Sequence, residues 1–508
     1  MRLAIGSTPR DLLRAVLRQG AAIVAVGIVA GVGLGYALAA MAASYVEAPR
    51  LPGQWPVLGA AAVLAERAPE RRGVDSAGRT PYRGHVMSTN RRAPVRSASL
   101  LLAVVTASAL AGPTARAQAP APGQVFRTSQ HDFRLELVAE LIHPHSMAFT
   151  PEGDMLITER PGRLRIVRQG KLLAAPVAGV PDIMYLGHGA TAQDGREQAG
   201  LRDVVLHPSF ATNRLLYLSY VKPGPNGYGN LAVARGRLEN DRLSNVQDVF
   251  VAQASGNGTN RSSMWGGRIA FDKAGYLFVT LGDRQWPAVA DLNRHPAQDL
   301  LTHNGKTVRL HDDGRVPNDN PFVGTPHALP EIWSLGHRNA QGMAFHPTTG
   351  DLFQNEHGPQ GGDELNVITP GMNYGWPVIG YGVNYTTGRA IHEGTHKEGF
   401  TPPAHVWVPS IGVSGMIFYG GDMFAGWKGD MLVGGMSGQR LVRMKLVGRR
   451  VVADEILIQG MGRMRDVQQG PDGAVYVMID ADVRGVDGKA TPVYRLVPVP
   501  RAPAATRR

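Results

Sequence analysis

From Met147 onward, short runs of alternating apolar and polar residues recur along the chain, separated by turns rich in Gly, Pro and Asp. An alternation of period two is typical of β-strands that bury one face. Six segments share the order apolar run, turn, apolar run, and they begin at Met147, Val204, Ile269, Met343, Met416 and Val467. Repeated units of this kind are typical of propeller blades. The pattern therefore predicts an all-β fold, a six-bladed β-propeller, over residues 129–498.

Two other architectures fit this pattern less well. A β-sandwich would require the six segments to resemble one another by accident. An α/β enzyme would require long amphipathic helical periods, and none occurs after residue 120. Because loops from several blades meet at one mouth of a propeller, functional residues are expected to be scattered along the chain.

A different pattern marks the N-terminal region. No charged residue lies between Arg18 and Glu47, and the apolar run at 21–45 is long enough to cross a hydrocarbon core of roughly 30 Å. It predicts one transmembrane helix. Residues 2–45 also resemble the end of an FtsX-like ABC transporter permease. We therefore interpret residues 1–86 as a permease-like fragment, either a fusion or a mis-assigned start.

A second leader pattern begins at Met87. Three Arg residues precede a short apolar run at 100–110, and the sequence Ala-Arg-Ala follows at 115–117. This is the order of a secretory signal peptide. The pattern predicts a signal peptide at 87–117, cleavage before Gln118 and a linker at 118–128. It places the main domain in the periplasm, anchored to the membrane only if residues 21–45 are retained.

Charge and cysteine content narrow the functional classes. The net charge of +12 divides into +9 for residues 1–118, from 14 Arg and five acidic residues, and only +3 for the remainder. The net charge of the main domain therefore gives little reason to expect a nucleic-acid partner. The absence of Cys excludes disulfides, Cys-ligated zinc and thiol catalysis. Residues 499–508 are predicted to form a flexible basic tail.

Candidate chemistry is concentrated between Pro330 and Trp376. Charged and amide side chains stand there on Gly- and Pro-rich turns beside aromatic residues, at 338–339, 356–359, 363–364 and 373–376. Arg binds carboxylates in a planar fork, while acidic side chains and turn carbonyls bind calcium. The composition favours a site for an anion together with a hard cation.

Three motifs in this region, GHRNAQG, NEHGPQGGDELN and GMNYGWP, resemble the soluble PQQ-dependent sugar dehydrogenases (the glucose/sorbosone or aldose sugar dehydrogenase family), and the likeness covers about 129–498. The resemblance implies a periplasmic quinoprotein that oxidises an aldose sugar or related alcohol by hydride transfer to pyrroloquinoline quinone (PQQ), assisted by Ca²⁺. It implies a downstream electron acceptor, no nucleic-acid partner, and membrane contact only through the N-terminal segment.

The resemblance also assigns residues. It places PQQ against Gln198, Arg338, Asn339, Arg463 and Arg465. It assigns the catalytic roles to Asp283 and Arg338. It places calcium at the carbonyls of Gly358 and Pro359 and around Glu364 and Tyr374. PQQ carries three carboxylates, so several guanidinium groups suit it.

The chain departs from the family pattern at three positions. Met264 stands where the family has its catalytic His, Ser437 stands where it has a Lys, with Arg440 near enough to reach across, and His357 replaces a Gln. A thioether cannot accept the sugar proton.

Three explanations remain open: a group such as His188 or His357 supplies the base, the substrate differs, or the propeller binds a ligand with weakened or absent catalysis. A calcium lactonase-like hydrolase would instead need an acid cluster on the axis, and the Arg set argues against it.

Overall fold

A computed structural model describes residues 120–185, 198–256, 263–480 and 490–501, and these form six antiparallel β-sheets. The predicted transmembrane helix, the signal peptide and His188 lie outside the described residues. Within the described part, no helix is long and apolar enough to cross a membrane.

The chain enters through two strands and then builds five blades of four strands each. The strands are β1 (Phe126–Arg127), β2 (Asp132–Ile142), β3 (Pro144–Phe149), β4 (Met155–Glu159), β5 (Arg163–Arg168), β6 (Lys171–Leu172), β7 (Leu201–Leu206), β8 (Leu215–Pro223), β9 (Gly229–Glu239), β10 (Arg242–Val251), β11 (Gly266–Phe271), β12 (Leu277–Leu281), β13 (Lys306–Leu310), β14 (Ile332–Leu335), β15 (Ala340–Phe345), β16 (Leu352–Glu356), β17 (Asp363–Ile368), β18 (His405–Trp407), β19 (Val413–Phe418), β20 (Met431–Gly435), β21 (Arg440–Val447) and β22 (Arg450–Gln459).

The sixth blade joins the two ends of the described chain. Its C-terminal strands are β23 (Arg463–Gln469), β24 (Val475–Asp480) and β25 (Ala490–Val499). The sheet order is β1-β2-β25-β24-β23, and β2 pairs with β25 from Asp132↔Val499 to Ile142↔Ala490. The inner strands β3, β7, β11, β15, β19 and β23 contact one another in a closed ring. The six-bladed β-propeller predicted from the sequence is confirmed.

Helical segments are short in the described part of the chain. One α-helix, α1 (Phe210–Asn213), lies in the β7–β8 turn, and 3₁₀ turns occur at Pro225–Gly227, Leu292–Arg294, Pro296–Gln298 and Ala425–Trp427.

Apolar side chains fill the interface between each pair of adjacent blades, so the core is six separate layers rather than one. The layer between blades five and six is the most aromatic. There Phe424 stacks on Trp427 with ring centroids 4.3 Å apart, and Phe133 packs edge-on against both. Each such buried side chain stabilises the fold by about 1.5–3 kcal/mol, so blade closure rests on these side chains as well as on the β2–β25 ladder.

All six inner strands carry a β-bulge at the same place. In each strand the ladder to its neighbour shifts after the first paired residue (in β23, after Met464). A bulge re-aims the side chains around it. We call the residues at the bulge the bulge ring: His145, Arg202, Gly267, Gln341, Ser414 and Arg465. The residues that follow form the axial ring: Ser146, Asp203, Arg268, Gly342, Gly415 and Asp466.

The axial ring seals the centre of the propeller with buried charge. Arg268 places Nη1 3.3 Å from Asp203 Oδ1 and Nη2 3.2 Å from Asp466 Oδ1, and its Nε donates to the Gln341 carbonyl at 2.9 Å. Ser146 Oγ donates to Asp203 at 2.5 Å. Residues at equivalent positions thus meet across four blades, which shows that the inner strands run parallel and in register.

Candidate active site

The topology brings almost all the predicted site residues to one end of the propeller, the end at which the inner strands begin, which we call the site face. Gln198, Met264, Arg338 and Asn339 directly precede inner strands, and Arg463 and Arg465 open β23. The second strand of each blade ends at this same face, which places Asp283, His357–Pro359 and Asp480 there. Positions scattered over almost 300 residues of sequence therefore share one surface, as the propeller prediction expects.

Asp283 forms hydrogen bonds with three residues of this face: Gln285, Trp376 and Arg338. Its side chain is buried, and its Oδ1 and Oδ2 accept hydrogen bonds from the Gln285 amide and Trp376 Nε1, both at 2.8 Å. Its own amide donates to the Arg338 carbonyl at 2.8 Å. Burial raises the pKa of Asp283 to about 6, although the nearby Arg338 guanidinium acts in the opposite direction. A carboxylate with this pKa can accept a proton near neutral pH.

Arg338 is held by the loop that follows β16. Its Nη1 donates to the carbonyls of His357 at 3.1 Å and Gly358 at 2.5 Å, and its amide donates to Glu356 Oε2 at 2.5 Å. The guanidinium also lies 5.2 Å from the Trp376 ring centroid. The side chain is buried, and the described residues offer it no ion-paired carboxylate. Its charge acts on the Asp283 carboxylate, whose pKa it lowers.

His357 is fully engaged, which removes one candidate for the missing base. Its Nε2 lies 2.7 Å from the Val413 carbonyl and must donate, because a carbonyl can only accept. Nδ1 is then the acceptor, and Asn339 Nδ2 lies 3.4 Å from it. Asn339 in turn accepts from the Gly266 amide at 3.2 Å and from Gln341 Nε2 at 3.1 Å. His357 thus positions Asn339, and neither of its nitrogens is left to accept a substrate proton.

Met264 occupies a constrained backbone position. Its φ is +51°, in the left-handed region that non-glycine residues seldom adopt. Its amide donates to Gln198 Oε1 at 3.3 Å, and its carbonyl accepts from the Arg284 amide at 3.3 Å. Gln198 and Met264, both singled out in the sequence, are therefore in direct contact, and Asp283 lies beside them in the chain segment 282–284.

A second group of charges surrounds Asp480. Arg465 donates from Nε and Nη2 to Asp480 Oδ2 at 3.0 and 2.5 Å. Burial alone would raise the pKa of Asp480, but Arg465, Arg160 and Arg463 hold it below its ordinary value. Arg160, which follows β4, is buried, and burial lowers its pKa. Three guanidinium groups thus act on the one carboxylate of Asp480.

On a regular strand Arg463 and Arg465, which are two positions apart, would point to the same side of the sheet, but β23 is not regular between them. The bulge between Met464 and Asp466 changes the direction of Arg465. Arg463 places Nη2 3.6 Å from Met436 Sδ, and both guanidiniums still lie close enough to Asp480 to lower its pKa. The two side chains therefore remain neighbours, although they are oriented differently.

The residues predicted to bind calcium fall into two places. The Gly358 carbonyl accepts from Arg338 Nη1 at 2.5 Å and from the Tyr385 hydroxyl at 3.2 Å, so a cation there would have to displace a donor. Glu364 lies opposite Glu356 in the β16–β17 ladder, and Asn366 Nδ2 donates to both carboxylates at 3.2 and 2.9 Å. Burial, followed by repulsion from Glu356, raises the pKa of Glu364 well above its ordinary value.

Tyr374 and Ser437 have structural contacts. The Tyr374 hydroxyl donates to the Val367 carbonyl at 2.5 Å and accepts from the Thr369 amide at 2.8 Å, and its ring stacks on His337 with centroids 4.8 Å apart. Ser437 packs closely against Gly412, where an added Cβ would lie 2.8 Å from the Ser437 hydroxyl oxygen. Arg440 donates its Nε to the Gly438 carbonyl at 3.2 Å.

The axial carboxylates do not form the metal-centred cluster that a lactonase-like hydrolase would need. Asp203 and Asp466 share the guanidinium of Arg268. Among the residues that the structure describes, no group of three or more His, Cys, Asp or Glu side chains is placed to hold a metal ion. The geometry therefore gives this alternative no support.

Two important residues, Arg202 and His145, were not singled out from the sequence. Arg202 donates from Nε to the Gly266 carbonyl at 2.8 Å and from Nη1 to the Gln198 carbonyl at 2.9 Å, so it links the Gln198–Met264 contact to the bulge ring. An alignment of the residues before each of the six repeated segments would have found both, because each lies two positions before the segment that begins at Met147 or Val204.

Comparison with known proteins places this arrangement in context. The family model described as Glucose / Sorbosone dehydrogenase matches residues 141–486. The aldose sugar dehydrogenase YliI of Escherichia coli is 42% identical over 345 residues, covering 67% of this chain and 88% of that protein. Quinoprotein glucose dehydrogenase B of Acinetobacter calcoaceticus is 27% identical over 473 residues, covering 77% and 95%. The crystal structure of the soluble E. coli aldose sugar dehydrogenase in its apo form superposes with a TM-score of 0.64 at 37% identity, covering 72% of this chain and 100% of that one.

Proposed function

Because the chain belongs to the glucose/sorbosone dehydrogenase family, we propose that it is a quinone-dependent dehydrogenase that oxidises a hydroxyl of an aldose sugar or related alcohol. One observation carries the proposal: the buried carboxylate of Asp283 shares the site face with the buried guanidinium groups of Arg338 and Arg465, and the three residues come from three different blades. When bound, PQQ would supply the carbonyl that accepts a hydride from the sugar.

The donor set of the site face fits a tricarboxylate. Arg338, Arg463 and Arg465 would bind the carboxylates, and the amides of Gln198 and Asn339 would supply further polar contacts. Arg338 is buried, and no carboxylate in the described part of the chain forms an ion pair with it. A buried charge is costly unless it is paired, and this is the physical reason to expect an anion beside Arg338.

We assign the proton-accepting role to Asp283. Met264 cannot take the proton, and His357 has both ring nitrogens engaged. Asp283 has two carboxylate oxygens, each with one hydrogen bond from the protein and a remaining lone pair. Arg338 would bind the reacting oxygen and stabilise negative charge that develops on it. In this assignment the carboxylate replaces an imidazole as the base.

Calcium is proposed at the oxygen-rich segment that follows β16. The Pro359 carbonyl, Glu364 and, after displacement of a donor, the Gly358 carbonyl would be its ligands, with Tyr374 bordering the site. Two adjacent carboxylates, those of the buried Glu356 and the half-buried Glu364, suit a hard cation because it would relieve their mutual repulsion. Calcium there would supply Lewis acidity for the quinone carbonyl.

Export to the periplasm is proposed on the signal-peptide pattern at 87–117, with residues 21–45 as a membrane anchor where the longer start is retained. The electrons would then pass to an acceptor in the same compartment. Sequencing the N-terminus of the mature protein tests this directly. We expect Gln118, and an intact Met1 would contradict the processing proposed here.

A second candidate function is ligand binding without turnover, favoured by Met264 at the family's His position. Sugar-dependent dye reduction by purified protein reconstituted with PQQ and calcium separates the two. The dehydrogenase proposal expects dye reduction that requires both sugar and PQQ. Saturable PQQ binding without dye reduction, across a panel of aldoses, would favour the binding propeller, and activity on a lactone with calcium alone would contradict both.

A further inference from the structure

Three adjacent blades contribute cationic or basic side chains to the bulge ring. Arg465, His145 and Arg202 come from β23, β3 and β7, which are consecutive around the closed ring of inner strands. The other members differ: Gly267 has no side chain, Gln341 donates to Asn339 Oδ1 at 3.1 Å, and Ser414 donates to the Met464 carbonyl at 2.6 Å. One half of the ring is therefore cationic or basic, and the other half is neutral.

His145 has no hydrogen-bond partner at either ring nitrogen within the described residues, although only 6% of it is exposed. Burial and four neighbouring guanidiniums, those of Arg202, Arg465, Arg268 and Arg160, hold its pKa well below the ordinary value. The ring is therefore neutral and carries one N–H donor and one acceptor. A buried polar group that is left unpaired destabilises the fold, and such groups are rare without a ligand, ion or water to pair them.

Arg202 lies next to His145 and is only 2% exposed. Its two hydrogen bonds go to backbone carbonyls, and no carboxylate in the described part of the chain forms an ion pair with it. Burial, then Arg465 and Arg160, lower its pKa well below the ordinary value. The backbone is shaped to admit this side chain, because a Cβ at Gly267 would lie 2.8 Å from Arg202 Nε.

The position of this half-ring connects it to the site face. The layer directly beyond it, the axial ring, is closed by the ion pairs of Arg268. On the other side, Arg202 contacts the carbonyls of Gln198 and Gly266, and Gly266 is bonded to Asn339. The half-ring thus forms the floor beneath the residues assigned to the quinone.

We propose that His145 and Arg202, together with Arg465, form an anion-binding floor that receives one carboxylate of the quinone ligand. This assignment rests on the proposed function and adds two binding residues to it. The carboxylate would accept N–H donors from the imidazole and from the guanidinium forks, whose planar geometry matches it. It would also place a negative charge beside Arg202, which forms no ion pair within the described residues.

Binding of PQQ and of its trimethyl ester to the purified full chain tests the floor. Both ligands are titrated against the unaltered protein, His145→Leu, Arg202→Met and a control, His346→Leu, which lies in the β15–β16 turn at the opposite end. We expect His145→Leu and Arg202→Met to weaken PQQ binding at least about tenfold, and the preference for PQQ over the ester to shrink. The control should match the unaltered protein.

Thermal unfolding of the ligand-free proteins distinguishes a binding role of His145 from a purely structural one. Because leucine removes two unpaired nitrogens and retains an apolar volume, ligand-free His145→Leu should be as stable as the unaltered chain or more stable. Undiminished PQQ affinity and an unchanged ester preference in His145→Leu would overturn the floor alone. Failure of the unaltered protein to bind PQQ would overturn the floor and the proposed function together.

Discussion

Trp376 donates its indole N–H to Asp283 Oδ2 at 2.8 Å, across 93 positions of sequence. The same ring lies 5.2 Å from the Arg338 guanidinium carbon. One aromatic side chain therefore orients the proposed base and packs beside the cation that faces it. This contact joins the GMNYGW segment to the β12–β13 loop, and it explains how residues from two blades can act on one substrate hydroxyl.

Asp283→Asn should abolish the proton-accepting group while preserving its shape. We expect kcat to fall by about 10²–10⁴, the usual contribution of a general base. In the unaltered enzyme, activity should rise with pH through about 6, because the base acts in its ionised form and its pKa is raised to about 6. The variant should lack this limb. Steady-state rates from pH 4.5 to 8 measure both effects.

The same substitution has a consequence for stability. A folded-state pKa above the ordinary value means that the folded protein binds the proton more tightly, so the free energy of unfolding falls as pH rises from about 4 to about 6. Denaturant titrations should show a smaller fall in Asp283→Asn.

The control for the kinetic effect is Asp313→Asn, a substitution on the surface. It should retain the full kcat, and a loss of rate equal to that of Asp283→Asn would refute the role of Asp283.

Trp376→Phe should move the pH profile without removing the base. The indole hydrogen bond favours the ionised carboxylate, so its loss should raise the pKa of Asp283 and shift the ascending limb to higher pH. The rate at pH 8 should fall less than the rate at pH 6. A uniform drop at all pH values would indicate that Trp376 acts only through packing.

Met264→His should raise activity. Histidine tolerates the left-handed backbone found at this position better than most residues do, and an imidazole would supply a second proton acceptor beside Asp283. We expect kcat to increase about tenfold or more, with the midpoint of thermal unfolding nearly unchanged. No increase in a stably folded variant would mean that an added imidazole here cannot reach the reacting hydroxyl.

Lys306→Met tests whether the Lys306 side chain stabilises the backbone segment that precedes Arg338. The buried ammonium group donates to the carbonyls of Pro296, Ala297 and Asn304 at 3.0, 3.1 and 2.7 Å. The Ala297 carbonyl also accepts the Gly336 amide, two residues before Arg338. Because methionine keeps the volume and removes the donors, we expect the free energy of unfolding to fall by about 2–4 kcal/mol. Lys273→Met, on the surface, should change it by less than about 0.5 kcal/mol.

The blades were predictable because each one repeats the same short-range pattern. The segments beginning at Met147 and Val204 are inner strand, turn and second strand, as the alternation indicated. Closure was not predicted. The pairing of β2 with β25 joins residues more than 300 positions apart, and nothing in the local alternation of either strand specifies its partner.

The site residues that belong to sequence motifs were predictable. Those whose positions depend on the three-dimensional arrangement of the strands were not. Arg338 and Asn339 could be found by their motif, and the structure places them beside Asp283 and His357. His145 and Arg202 belong to no motif, and their positions depend on a bulge that repeats in six strands. The engagement of both His357 nitrogens depends on Val413 and Asn339, which come from different blades, so sequence alone left that residue open as a base.

The central claim is that guanidinium groups from separate blades hold a tricarboxylated quinone at the site face. The most direct test is a fluorescence titration of the purified protein with PQQ, in parallel with an Arg338→Met/Arg465→Met double variant and an Arg315→Met surface control. We predict saturable one-to-one binding by the unaltered protein and the control, and binding at least about 100-fold weaker in the double variant. Equal affinity in all three proteins, or no saturable binding by the unaltered protein, would contradict the account.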